Sequence, residues 1–204
     1  MEKLKTDVYS AAERPRAFIQ VPPKQPVLLA IDGRCGSGNT TLARVLQEKT
    51  GAAVVHMDDF FLRPEQRTPE RFAEPGGNVD RERVLEEVLA PLRENRPAVY
   101  RPYDAHKPAM LEPVHLEPSP VTIIEGSYSC HPALWNYYDA RVFVDVGPEE
   151  QLRRIEARSG SEKLEAFKSR WIPLEEAYFH AFSLETSCDF SIELITEPDL
   201  LKRL

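Results

Sequence analysis

The sequence predicts an α/β domain, a mostly parallel sheet between two layers of helices. Three observations predict it. Short, continuous apolar runs recur along the chain, segments of helical spacing separate them, and a glycine-rich turn joins the first such run to the first such segment. Continuous rather than alternating apolar runs mark strands buried on both faces, as parallel sheets require. Strands alternating with helices along one chain give a doubly wound sheet.

The elements follow in order. Residues 1–26 form a lead-in, irregular or briefly helical, with Pro15, Pro22, Pro23 and Pro26 as breakers. Residues 27–204 form a single domain. Val27 to Ile31 is its first strand. The helix that follows the glycine-rich turn aligns Leu42, Val45 and Leu46 on one face and is closed by Gly51. Ala52 to Met57 is a second strand, ending at Asp58 and Asp59. Arg63 to Asn78 is too polar and too rich in proline and glycine for core, so a mobile loop is expected. Asp80 is placed to cap a helix running to about Leu92, with Val84, Leu85, Val88 and Leu89 as its apolar stripe. Val99 to Pro113 reads as an irregular loop on the substrate side. Val121 to Ile124 and Ala140 to Val146 are further strands, Pro148 to Arg158 is a basic helix, and Glu162 to Ala181 is helical with a break near Pro173. Phe190 to Leu194 is the last strand.

Composition narrows the function. With 42% hydrophobic and 29% charged residues the 204-residue chain reads as a soluble globular protein. A net charge of −7 weighs against nucleic acid or an anionic membrane as the main partner. No apolar stretch approaches the roughly 20 residues of a membrane helix. The first ten residues lack the apolar core of a secretory signal. The three cysteines, Cys35, Cys130 and Cys188, are odd in number and far apart, which fits neither a disulfide framework nor a metal-binding spacing. A reducing cytoplasm is the expected setting. Oligomeric state is not legible.

The strongest motif is Gly33-Arg34-Cys35-Gly36-Ser37-Gly38-Asn39-Thr40-Thr41. It meets every position of the phosphate-binding P-loop pattern, G-x-x-x-x-G-K-[ST], except the lysine. The fold expected is therefore the three-layer α/β/α P-loop NTPase fold. Gly36 and Gly38 let successive N–H groups turn inward as an anion nest. The following helix adds its positive end, and Thr40 is placed to ligate Mg²⁺. Asn39 stands where the lysine should be. It is neutral and shorter, so it cannot neutralise charge on a transferring phosphoryl group, and weakened nucleotide binding and poor transfer are expected. Arg34 is the one residue within the loop that offers a compensating charge.

Further motifs sharpen the resemblance. His56-Met57-Asp58-Asp59-Phe60-Phe61, Tyr100-Arg101-Pro102-Tyr103-Asp104, Glu125-Gly126-Ser127-Tyr128 and Arg170-Trp171-Ile172-Pro173-Leu174-Glu175 resemble segments of uridine kinases and uridine kinase-like proteins, in register from about Pro26 to Ile195. The resemblance implies a helical lid and transfer of the γ-phosphate of ATP or GTP, with Mg²⁺, to a small-molecule hydroxyl. It implies Asp58 as the base for that hydroxyl, a role its place at a strand's carboxyl end also suits. Glu125 matches the acidic residue that supports Mg²⁺ beside Thr40. Tyr103 and Asp104 match an acceptor-binding segment, with His106 beside it. Arg153, Arg154 and Arg158 resemble lid arginines that close on phosphates, Arg153 with the nucleotide and the other two with the transferring group. Arg170 matches a further arginine on the acceptor side. Asp59, Asp80 and Trp171 read as structural, and Cys35 as an inert thiol. Uridine or cytidine is the first acceptor to expect. Another small alcohol such as pantothenate or a sugar, or nucleotide binding without transfer, remains open.

Overall fold

The computed structural model describes residues 3–19 and 26–195. Pro22 and Pro23, expected as breakers, lie outside them. Six strands form one parallel sheet in the order β1 (Leu4–Thr6), β10 (Phe190–Leu194), β9 (Ala140–Asp145), β2 (Val27–Gly33), β8 (Val121–Glu125) and β3 (Ala53–His56). Five of these were legible as apolar runs. β1 was not, because it is short and half-exposed and is held at the edge by pairing with β10, where Leu4 sits opposite Ile192.

The central strand shows why an unbroken apolar run was required. All seven residues of β2 are buried. Leu28 and Ala30 face one layer of core, with Phe60, Val84, Leu89, Leu92 and Phe179; Leu29 and Ile31 face the other, with Ala11, Leu42, Val45 and Leu46. The alternation of side chains along a strand thus feeds two cores. α1 (Val8–Ile19) and α2 (Asn39–Thr50) cover the second face. α2 ends as read, with Gly51 in the left-handed region at φ 72° and its N–H donating to the Gln47 carbonyl.

The segment after β3 is more ordered than its polarity suggests. It contains a turn at Pro64–Gln66 and a short helix, α3 (Pro69–Ala73). Arg71 ties it down, donating to the carbonyls of Gly77 and Val79 and pairing with Glu82. Part-buried guanidinium hydrogen bonds replace the apolar contacts that the segment lacks. Asp80 caps the next helix, its carboxylate accepting from the Arg83 N–H at 3.3 Å. That helix is built from α4 (Arg81–Arg83), a π-helical stretch Val84–Leu89 and α5 (Ala90–Arg93). The region expected to be an irregular loop instead forms two small antiparallel pairs, β4 (Ala98–Tyr100) with β7 (Val114–Leu116), and β5 (Tyr103–Asp104) with β6 (Ala109–Met110).

α6 (Pro148–Ser159) and α7 (Ser161–Ala166) run into a π-helical stretch Phe167–Trp171, then α8 (Ile172–Phe182) and α9 (Leu184–Ser187). The break expected near Pro173 is absent. The helix runs on through Pro173, and the irregularity lies in the π stretch immediately before it, where the Ile172 N–H donates to the Phe167 carbonyl. Among the described residues no helix is long and apolar enough to cross a membrane.

Candidate active site

A cavity of about 1550 Å³ opens over the carboxyl ends of the strands. This is where the crevice of an open α/β sheet lies. β2 delivers the phosphate loop, β8 delivers Glu125, and the turn after β3 delivers Asp58.

The loop is shaped by two close approaches. A Cβ on Gly33, at φ 153°, would fall 2.0 Å from the Val144 carbonyl oxygen. A Cβ on Gly38, at φ 108°, would meet the Leu194 side chain at 2.9 Å. Gly33 therefore seats the loop on β9 and does not line the cavity, whereas the residues from Arg34 to Thr41 all do. The first intrahelical bond of α2 runs from the Leu42 N–H to the Gly38 carbonyl, and Gly38 adds no side-chain cap. The N–H groups of Asn39, Thr40 and Thr41 are thereby left without helical partners at the positive end of a 12-residue helix.

Asn39 is turned back into the loop. Its amide donates to the Gly33 carbonyl at 3.4 Å and its carbonyl accepts from the Ser37 hydroxyl at 3.0 Å. Nor does Arg34 supply the missing charge. It donates to Asp145 at 2.6 Å, pairs with Glu176 and lies over the Phe179 ring, so its charge is already spent. Burial and the neighbouring Glu175 carboxylate push the Cys35 thiol far up, which disfavours the reactive thiolate.

Thr40 is exposed to the cavity, and its hydroxyl donates to the buried Glu125 carboxylate at 3.2 Å. His56 holds the other side of Glu125, with Nδ1 2.5 Å from Oε1, and this bond raises the His56 pKa. Among the described residues no group of three or more His, Cys, Asp or Glu side chains is placed to hold a metal. One hydroxyl and one carboxylate fit the chemistry of Mg²⁺, which takes few protein oxygens and completes its shell with phosphate and water. Asp58 faces the same space. Protein mass around the mouth of the cavity raises its pKa, and the Glu125 charge raises it further, while His56 and Arg158 oppose the shift. Asp59 instead accepts from the Tyr100 hydroxyl at 3.3 Å, in keeping with a structural role.

The arginines separate by geometry. Arg154 donates to the carbonyls of Gly36, Ser37 and Leu194 and to Glu150, which locks α6 onto the back of the loop. It is a fastener rather than an open clamp. Arg153 is exposed and paired with Glu150. Arg158 lies over the Phe167 ring, lines the cavity and is close enough to Asp58 to lower its pKa. Arg170 lines the cavity, with its guanidinium 5.5 Å from the Phe72 ring and 4.6 Å from that of Trp171. Trp171, read as core, is half-buried on the cavity wall.

Tyr103 and Asp104 are placed elsewhere. Tyr103 is buried away from the cavity lining, and the Asp104 carboxylate accepts from the N–H groups of His106 and Lys107, building the turn that leaves His106 on the lining. Several contributors were not singled out from sequence. Buried Glu175 accepts from the Cys35 N–H at 2.9 Å and the Ser127 hydroxyl at 2.7 Å, bracing the loop from α8. Arg67, Phe72, Asn78 and Lys163 complete the walls. No local spacing announces these residues, because each reaches the cavity from a different element.

The profile of no known protein family matches the chain. A uridine kinase from Geobacillus kaustophilus is 28% identical over 163 residues, covering 72% of this chain and 73% of that protein. Among solved structures, one assigned provisionally as a uridine kinase, from Bacillus stearothermophilus, superposes with a TM-score of 0.68 at 19% identity, covering 91% of this chain and 97% of that one. Another, assigned provisionally to a fructose transport system as its kinase, from Silicibacter sp. TM1040, gives 0.64 at 17% identity, covering 92% and 97%. At such identities the structural likeness is one of fold. In sequence and in fold, the chain resembles the uridine kinase-like P-loop kinases.

Proposed function

We propose that the chain transfers the γ-phosphoryl group of ATP or GTP to a hydroxyl of a small molecule, with a nucleoside such as uridine or cytidine as the first-choice acceptor, and that Asn39 slows this reaction. One observation carries the reading: Asp58, Thr40 and Glu125, from three separate segments, converge with Arg158 on a helix N-terminus in one cavity. The setting is cytoplasmic in this reading, and the partners are a nucleotide and a small acceptor.

The chemistry follows from these positions. Backbone N–H groups of the loop and the start of α2 hold the phosphates. Asp58 accepts the proton of the acceptor hydroxyl, whose oxygen bonds to the γ-phosphorus as the bond to the β–γ bridging oxygen breaks. Thr40 and Glu125 would hold Mg²⁺, which supplies charge neutralisation between the phosphates. Arg158 stabilises the equatorial oxygens from the α6 side. His106, Phe72, Trp171 and Arg170 wall the acceptor.

The commitment of both Asn39 and Arg34 within the loop favours a second reading, nucleotide binding with little or no transfer. Nucleotide consumption with Mg²⁺ across nucleosides, vitamins and sugars, on this chain and on Asn39→Lys, separates the two. Turnover with one acceptor class, raised about 100-fold or more by the lysine, supports the kinase reading. Binding without turnover in both forms supports the second.

A further inference from the structure

The strand order places an aromatic side chain that no motif announces. Asp58 follows β3 at one edge of the sheet, the phosphate loop follows β2, and Tyr9 follows β1 at the other edge. With strands about 4.8 Å apart, Tyr9 stands three spacings, roughly 14 Å, beyond the loop, on the side away from Asp58. It nonetheless lines the same continuous cavity, together with Val8, Leu194 and Ile195. A triphosphate with its γ end at Asp58 and its chain threaded through the loop must carry its base in that direction.

Tyr9 is 62% exposed, the most exposed large apolar side chain among the described residues. Its backbone is fixed nevertheless: the Tyr9 and Ser10 N–H groups donate to the Asp7 carboxylate at 2.9 and 3.1 Å, which starts α1. The Asp7 carboxylate is thereby occupied, and the Ser10 hydroxyl together with these backbone N–H groups holds its pKa down. Leu194 packs against Gly38, so the apolar patch is continuous with the loop itself. An exposed ring on a fixed backbone, lining the same cavity as two aliphatic side chains and within the reach of an extended nucleotide from an anion nest, has the chemistry of a base-stacking platform.

We infer that Tyr9, with Leu194 and Ile195, forms the stacking face for the base of the donor nucleotide. The inference rests on the reading under Proposed function, and it gives the edge strand β1 a role in the site: β1 brings α1 to the far end of the cavity. Stacking contacts are tolerant of base identity, so this face raises affinity without choosing between ATP and GTP.

Calorimetric titration with ATP and with inorganic tripolyphosphate, which has no base, tests it on the intact chain. Tyr9→Ala should weaken ATP about tenfold and leave tripolyphosphate unchanged. Tyr9→Leu, which keeps the bulk and removes the ring, should also weaken ATP alone, and Tyr9→Phe should retain it. Unchanged ATP affinity in Tyr9→Ala, or an equal loss for both ligands, would overturn the inference and leave the kinase reading standing. Failure of the unsubstituted chain to bind either ligand would overturn that reading, and the inference with it.

Discussion

Asp58 combines two demands that pull in opposite directions. As the base proposed above it must be ionised to take a proton, yet the surrounding protein and the Glu125 charge both disfavour its ionised form. The compromise suits a base, because a raised pKa increases its appetite for a proton. The sign is fixed: activity is present above the raised pKa of Asp58 and is lost as pH falls through it, higher than for an ordinary carboxylate. A pH–rate profile of kcat/KM in the Asn39→Lys form checks this, and an acidic limb at the usual aspartate value would contradict it. Asp58→Asn should lower kcat by about 10²- to 10⁴-fold with little change in melting temperature. Asn39 is the complementary case. Its identity was legible in the motif, but its fate was not: only the fold shows the amide paired to Gly33 and Ser37.

At the scale of elements, α6 carries three arginines that look alike in sequence and differ in what they touch. Arg154 faces the loop's backbone and Arg158, one turn later, faces the cavity. We therefore assign the first to stability and the second to the chemistry of the proposed reaction. Arg154→Ala should lower stability by about 2 kcal/mol, since it strands three carbonyls at a part-buried seam. Arg158→Ala should leave the melting temperature within a degree or so and reduce kcat by about 10²-fold or more. Thermal melts and steady-state rates on the two variants decide the assignment, and a reversal of the two effects would refute it. Helical periodicity marked α6 as one basic helix, but which side of it meets the loop depends on how α6 docks, which periodicity does not encode. The same holds for Tyr103 and Asp104, whose resemblance to an acceptor segment was visible while the burial of one and the turn that occupies the other were not.

At the scale of the molecule, one buried carboxylate joins the layers. Asp32, fully buried at the end of β2, accepts from the N–H groups of Gly33, Tyr128 and Cys130 and from the Tyr178 hydroxyl. Burial pushes its pKa up to about 7, against those donors, which favour the ionised form. It ties the phosphate loop, the turn after β8 and α8 into one unit. Asp32→Ala leaves those donors buried without an acceptor and should cost about 3 kcal/mol or more, read as a lowered midpoint in chemical denaturation. A loss under about 1 kcal/mol would mean that the three segments hold one another without it.

The sequence alone determined the fold class and the anchor points of the site. Five apolar runs, the glycine spacing and the acidic residues at strand ends are local patterns, and burial on both faces or backbone curvature demands them wherever they occur. The tertiary structure alone decided the edge strand, the order imposed by Arg71, and the division of labour among Arg34, Arg153, Arg154 and Arg158. It also decided the placing of Glu175 beside the loop and of Tyr9 at the far end of the cavity. These depend on which surfaces meet across long stretches of chain: Glu175 lies 140 residues from the N–H it accepts. A charged side chain carries no local sign of its partner, because its energy is set by whichever groups the packed layers bring within reach.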